Sequence, residues 1–142
     1  MFVARYEGTV DKDKMLKVCG GEAKKHNVIV ALMDGDFVRC EEHAKSAVYH
    51  ALRSFANGTN ISSSLSIEIL LYASGKRQIS DALAVAGLKD GGQRVTVACV
   101  GRMKDCVAFA KSFIKKFGMR KINFEAIDSS AIESTAMLDI MK

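Results

Sequence analysis

The chain has 142 residues, of which 49% are apolar and 26% are charged, and its net charge is +5. This size predicts a single domain, residues 1–142, whose core needs neither a disulfide nor a metal. The apolar runs 28–33 and 69–73 are far too short to cross a bilayer, and the N-terminus lacks a signal-peptide pattern, so we expect a cytoplasmic protein with no membrane partner.

The first part of the chain predicts two strands and two helices. Apolar and polar residues alternate over 2–9, as in a half-buried strand, whereas 28–33 is wholly apolar, as in a strand covered on both faces. Between them, 11–25 is polar and contains a glycine pair, which predicts a short, weak helix. Apolar residues recur at steps of three and four over 36–56, which predicts an amphipathic helix that ends at an Asn-Gly pair.

The middle of the chain gives one ambiguous segment. Residues 64–73 fit a strand by their alternation and a helix by their serine cap, and the pattern leaves both open. A short helix is predicted over 80–86, with Ser80 as its cap and Gly87 as its left-handed stop. A strand rich in β-branched residues follows at 94–100.

The last part of the chain completes the predicted fold. It contains an amphipathic helix over 103–117, a strand over 122–126, and a final helix opened by the capping box Ser130-x-x-Glu133. These elements predict the α/β class, as a single two-layer domain. Its sheet has about four strands, mainly antiparallel or mixed, and packs with five to six helices.

Positive charge is in excess only in the second half of the chain. Residues 1–71 carry nine basic and nine acidic residues, whereas residues 72–142 carry twelve and seven. Seven of the basic residues fall between Arg102 and Lys121, together with the single acid Asp105. Such a segment indicates either a surface for a polyanion such as nucleic acid or a solvated helix face.

The phosphate-loop motif is incomplete in this chain. Ser74-Gly75-Lys76 resembles its end, but the motif needs glycine at position 70 and Ser or Thr at position 77. The chain has Leu70 and Arg77 there, so the first glycine and the magnesium ligand are missing.

The histidines of the long helix are also poorly placed for chemistry. His43 and His50 are seven residues apart, about 10.5 Å along a helix, which is too far to share a zinc ion. We therefore predict no enzymatic activity, no metal and no cofactor, although residues distant in sequence could still converge in space.

Residues 64–88, SLSIEILLYASGKRQISDALAVAGL, carry a resemblance to a known family. The block EILLYxSGxRQIxxALxxxG, with the amphipathic helix before it, resembles the small TPRKB-like kinase-binding subunits of the KEOPS/EKC complex, in a form similar to the archaeal ones. The resemblance implies a non-catalytic subunit that binds a small atypical kinase/ATPase of the PRPK type. It also implies a role in threonylcarbamoyladenosine modification of tRNA, contact with the 3′ CCA end of tRNA, and a helix at 64–73.

The residues themselves suggest where such partners would bind. Long donors at a helix junction, and a stripe of cations and flat side chains at steps of 4, 7 and 3, would suit single-stranded RNA. The candidate RNA contacts are Lys76, Arg77, Gln78, Arg39, His43, His50 and Arg53.

The apolar run at 67–72 would point nearly all round a helix, so part of it faces a second apolar surface. That surface is either the core of this domain or the kinase, and Ile67, Leu70 and Leu71 are the candidate kinase contacts. If no RNA is bound, the chain is a protein-interaction module, and its basic segment is a solvated face.

Overall fold

The computed structural model of the protein describes residues 1–126, in which four strands and five helices form a single α/β domain. The predicted final helix, with its Ser130 capping box, lies outside the described residues. In chain order the elements are β1 (Phe2–Glu7), α1 (Lys12–His26), β2 (Ile29–Asp34), α2 (Glu41–Asn57), α3 (Leu65–Ser74), α4 (Ile79–Ala86), β3 (Arg94–Val100), α5 (Met103–Phe117) and β4 (Arg120–Ile122).

The strands form one antiparallel sheet in the order β2-β3-β1-β4. β3 lies between β1 and β2, with Val97 opposite Ala4 on one side and opposite Leu32 on the other. β2 and β4 are therefore the edge strands. The predicted class, a four-stranded antiparallel sheet with five helices in one α/β domain, is confirmed for the described part of the chain.

Helices cover both faces of the sheet, so the domain has three layers rather than the predicted two. Side chains of a strand alternate between its faces. In β3, Val97 packs with α1 and α5, whereas the neighbouring Ala98 packs with α2, α3 and α4. The alternation in β1 predicts only one buried face, because the other face carries the charged residue Arg5. Arg5 is nevertheless buried.

Helix α1 is longer and better defined than its composition predicts. Asp11 caps it by accepting a hydrogen bond from the Lys14 amide at 3.4 Å, and Asn27 ends it in the left-handed conformation. Its buried residues are few, Met15 and Cys19. Packing of this narrow apolar stripe on the sheet and on α5 stabilises a helix that intrinsic propensity alone would leave weak.

Helix α2 begins at Glu41, five residues later than predicted. The carbonyl of Asp34 accepts hydrogen bonds from the amides of Phe37 and Val38, which form a turn before the helix. The ambiguous segment 64–73 is helical, as the family resemblance implies. Ser64 caps α3 by accepting from the Ile67 amide at 3.4 Å.

The ends of α4 and the extent of β4 also differ from the predictions. Gln78, not Ser80, precedes α4, and Gly87 after it is extended, with φ of −72°, rather than left-handed. A Cβ at Gly87 would lie 2.5 Å from the carbonyl oxygen of Leu83. Only glycine fits here, because the backbone of Leu83 approaches this position so closely. The predicted strand 122–126 is shifted, because β4 ends at Ile122.

Candidate functional site

An apolar groove with a volume of about 610 Å³ runs along the edge strand β2, and we call it the β2 groove. Five consecutive residues, 28–32, line it, because β3 pairs with only one edge of β2. Helix α1 forms one wall and helices α3 and α4 form the other. An isolated bridge between Met33 and Gly87 lies at the end of β2 that is nearer to α4.

The β2 groove presents large apolar side chains to solvent. Leu16 of α1 is 46% exposed, and Ile29 of β2 and Leu83 of α4 are each 42% exposed. Lys12 and Lys24 also line the groove and are exposed. An apolar patch rimmed by charged residues is typical of a protein-binding surface.

The structure separates the three candidate kinase contacts. Ile67 and Leu70 both line the β2 groove, Ile67 half-buried and Leu70 only 5% exposed. Leu71 is fully buried on the other side of α3, within the core formed with α2. Leu71 is therefore not accessible as a kinase contact and belongs to the core, because α3 is buried over most of its circumference.

The candidate RNA residues of the α3–α4 junction lie together in an exposed turn. Gly75 ends α3 in the left-handed conformation, and the Ser74 hydroxyl accepts a hydrogen bond from the Lys76 amide at 3.1 Å. Lys76, Arg77 and Gln78 follow and are all exposed. We call them the 76–78 turn, which presents three long donors on a short, fixed segment.

His43 belongs to the interior of the protein and not to a surface stripe. It is 1% exposed, and its Nε2 donates to the carbonyl oxygen of Ala73 at 2.8 Å. Its ring also meets Phe37 edge-on, with centroids 5.7 Å apart. The predicted surface stripe is therefore wrong at His43, which instead joins the start of α2 to the end of α3.

The other members of the predicted stripe lie in two separate places. Arg53 donates to Nδ1 of His50 at 2.9 Å, and the His50 ring stacks on Tyr72 at 5.3 Å. Arg39 precedes α2 and lies 3.9 Å from the carboxylate of Glu125. Arg39 is thus more than three helical turns from Arg53 along the chain, and these side chains do not form one continuous site.

A buried carboxylate that sequence reasoning missed holds this region in shape. Glu68 is 0% exposed, and its oxygens accept from the Ser54 hydroxyl at 2.8 Å, the Ser62 amide at 2.9 Å and the Ile61 amide at 3.1 Å. These bonds tie the loop after α2 to α3, beside the wall of the β2 groove. Its acidic residue type in an apolar run is the signal that could have revealed it.

The groove contains a thiol, but that thiol is poorly suited to chemistry. Burial, with a smaller effect from Glu22, raises the pKa of Cys19 to about 12, so the nucleophilic thiolate is scarce at neutral pH. Within residues 1–126, His, Cys, Asp and Glu form no group that could hold a metal ion. No helix in that range is both long and apolar enough to cross a membrane.

An apolar groove on an edge strand, with an exposed cationic turn on the adjoining helices, defines a small α/β protein-binding module. Comparison with known proteins agrees with this class. The model of the family "Kinase binding protein CGI-121" matches residues 12–139. This chain belongs to that kinase-binding family.

A curated relative is similar to part of the chain. The chain is 27% identical over 95 residues to the KEOPS complex subunit Cgi121 of Pyrococcus abyssi (strain GE5 / Orsay). The matched stretch covers 67% of this chain and 54% of that protein, so the match spans about half the length of the relative.

Proposed function

We propose that this protein is a non-catalytic accessory subunit of a KEOPS complex in the cytoplasm. In this proposal the β2 groove binds the small atypical kinase/ATPase subunit, and the 76–78 turn binds the single-stranded 3′ CCA end of tRNA. The protein would thereby support threonylcarbamoyladenosine modification of tRNA. The β2 groove, in a chain of a kinase-binding family, is the observation that carries the proposal.

The groove supports a protein partner through its exposed apolar area. Leu16, Ile29 and Leu83 each leave about two-fifths of their surface in water, and covering them would release that surface from solvent. Ile67 and Leu70 form the inner wall between them. A partner helix or loop with an apolar face and acidic flanks would meet both the apolar lining and the rim lysines.

The kinase part is tested by making the groove polar without changing the charge. Leu16→Gln together with Leu83→Gln should weaken binding of the kinase from the same organism by about ten-fold or more, because two leucines lose their apolar contact. Gln keeps helix propensity close to that of Leu. Titration calorimetry measures the affinity.

Met103→Gln is the matched control for this experiment, since Met103 is 54% exposed on α5 and does not line the groove. It should leave kinase affinity unchanged. Wild-type affinity in the double groove variant would refute the groove as the kinase site.

The RNA part of the proposal is supported by donors and flat groups on the same side of the sheet. The 76–78 turn offers cations for phosphate and donors for base edges. On α2, Tyr49 is 60% exposed, and Arg53 lies against His50. Unpaired bases stack on such groups, whereas paired bases do not expose their faces.

Charge reversal in the turn tests the RNA part. Lys76→Glu together with Arg77→Glu should weaken binding of intact tRNA, and binding should become less sensitive to salt because phosphate contacts are lost. Trimming the CCA end should weaken wild-type binding but have little further effect on the variant. Equal wild-type affinity for intact and trimmed tRNA would reject the CCA assignment.

A protein-interaction module without RNA binding is the second candidate function. It is favoured by the burial of His43 and by the separation of Arg39 from Arg53, which divide the proposed RNA stripe. Under this alternative the kinase co-purifies with the protein, but no tRNA shift occurs at low salt. A shift that depends on the CCA end would reject it.

A further inference from the structure

Helices α1 and α5 concentrate positive charge on one face of the domain. They pack side by side against the same face of the sheet and carry nine lysines, all exposed, against the acids Asp13, Glu22 and Asp105. The rest of the chain has twelve basic and thirteen acidic residues. The two helices therefore account for the whole positive excess of the protein. Lys12 and Lys24 line the β2 groove, and we call the surface that carries the other seven lysines the lysine face.

Two of the three acids are engaged locally and oppose the lysines weakly. Glu22 lies between the helices, where it accepts from the Ser112 hydroxyl at 3.0 Å and pairs with Lys116 at 3.2 Å. Asp105 pairs with Arg102 at 3.2 Å, at the start of α5. The other eight lysines of the two helices form no ion pair with any residue in the described part of the chain.

The outer lysines follow the helical repeat. In α1, Lys14 and Lys17 are about one turn apart, about 4.5 Å along the axis, and in α5, Lys111 and Lys115 are one turn apart, about 6 Å along the axis. Because packed helices lie about 8–10 Å from each other, these lysines form two neighbouring rows of point charges. Lysine has no planar group and contacts phosphate without reading bases.

The lysine face lacks the features of a single-strand or membrane surface. The aromatic residues of α5 are turned inward: Phe109 and Phe113 are buried, and Phe117 packs against Phe113 at 5.4 Å. Stacking of unpaired bases therefore has no platform there. Its exposed apolar residues on α5 are Met103 and Val107, a smaller apolar face than interfacial helices use.

We propose that the lysine face is a second RNA surface, which binds the phosphate backbone of a double-helical RNA segment. Duplex RNA is recognised largely through its shape and its phosphates, which regularly spaced lysines can contact. The inference rests on the proposed function only in taking RNA as the ligand. The 76–78 turn joins α3 and α4, which cover the opposite face of the sheet, so the two surfaces are separate.

Matched triple variants test the lysine face with a blunt-ended RNA duplex as the probe. Each replaces three lysines by Gln, which preserves helix propensity, and circular dichroism checks the fold of both. The test variant changes Lys17, Lys111 and Lys115, and the control changes Lys45, Lys89 and Lys121 elsewhere on the surface.

Fluorescence anisotropy over a range of salt concentrations measures binding. The test variant should lose about ten-fold or more in affinity at low salt, and the slope of log affinity against log salt should become shallower by about two to three units. The control should change much less. Equal losses in the two variants would overturn the inference, because net charge alone would then explain binding.

Two further results would also overturn it. One is wild-type duplex affinity in the test variant, and the other is tighter binding to vesicles of anionic lipid than to duplex RNA. The proposed function is read out separately: the difference between intact and CCA-trimmed tRNA should persist in the test variant. If only the variant with reversed charges at Lys76 and Arg77 loses that difference, the CCA site and the lysine face are separate surfaces.

Discussion

Glu68 shows how one buried side chain fixes the loop beside the groove. The Ser54 hydroxyl and the amides of Ile61 and Ser62 all donate to its carboxylate, so both oxygens act as acceptors. Glu68→Gln replaces one acceptor by an amide donor that faces other donors. We expect it to lower the free energy of unfolding by about 1–3 kcal/mol, which urea denaturation measures.

The control for this variant is Glu42→Gln, which makes the same chemical change at an exposed position of α2. Exposed substitutions of this kind change stability by about 0.5 kcal/mol or less. If both variants unfold at the same urea concentration, the Glu68 network contributes little to stability.

Buried acidic groups make the protein less stable at alkaline pH, and burial raises the pKa of Cys99 as well as those of Tyr6 and Cys19. Burial raises the pKa of Tyr6 to about 12, with Cys99 as a smaller cause, and burial raises the pKa of Cys19 to about 12. Between the ordinary and the raised pKa, the folded chain holds protons that the unfolded chain has lost. Their stabilisation is therefore complete below about pH 9 and is lost as the pH rises toward about 12.

Urea denaturation at about pH 8 and about pH 10.5 measures this loss. The wild-type protein should be less stable at the higher pH. Cys19→Ala should show a smaller decrease, because it removes one of these groups. An identical pH dependence in this variant would show that Cys19 does not titrate as its burial requires.

At the scale of elements, the sequence predicts helices that have a periodic apolar pattern. It does not predict features that depend on contacts between elements distant in the chain. The bounds of the predicted helix 103–117 are confirmed by α5, Met103–Phe117, but its buried residues are Cys106, Phe109, Ala110 and Phe113, whereas Met103 and Val107 of the apolar pattern are exposed. The sequence predicts only a short, weak helix at α1, because its few apolar residues stabilise the helix only when they pack against the sheet and α5. The β2 groove combines residues 12–32 with 64–88, and no local pattern contains that pairing.

Helix α1 also permits a stabilising substitution. Gly21 lies in its interior, and an added Cβ would meet no atom within 4 Å. Gly21→Ala should raise the free energy of unfolding by about 0.5–1 kcal/mol, because glycine loses more backbone freedom on folding. Denaturant titration measures the change.

Gly118→Ala is the matched control, because the space around Gly118 is also open but its φ is +61°. Alanine is strained in that conformation, so this variant should be destabilised. Stabilisation of both variants, or of neither, would contradict the assignment of Gly21 to a regular helix interior.

At the scale of the whole molecule, the sheet separates the lysine face from α3 and α4. The sequence does not show this separation, because along the chain the excess charge lies in the second half. The five lysines of α1 are balanced by acids elsewhere in the first half, and folding places α1 beside α5. The candidate RNA residues 39–53 do not lie together in the structure. Periodicity on α2 does not show which face of that helix α3 covers.

Lys17, Lys111 and Lys115 do not line the β2 groove, although α1 contributes to both surfaces, so we expect kinase binding and duplex binding to be independent. The groove variant, Leu16→Gln with Leu83→Gln, should retain duplex affinity, and the triple variant at Lys17, Lys111 and Lys115 should retain kinase affinity. Mutations whose side chains share no partner usually combine additively to within about 0.5 kcal/mol, and Lys17 does not line the groove although it follows Leu16 in the chain. Combining both sets in one chain and measuring both affinities should therefore reproduce each separate loss. If the combined loss in binding free energy departs from the sum of the separate losses by more than about 0.5 kcal/mol, binding at the two surfaces is energetically coupled.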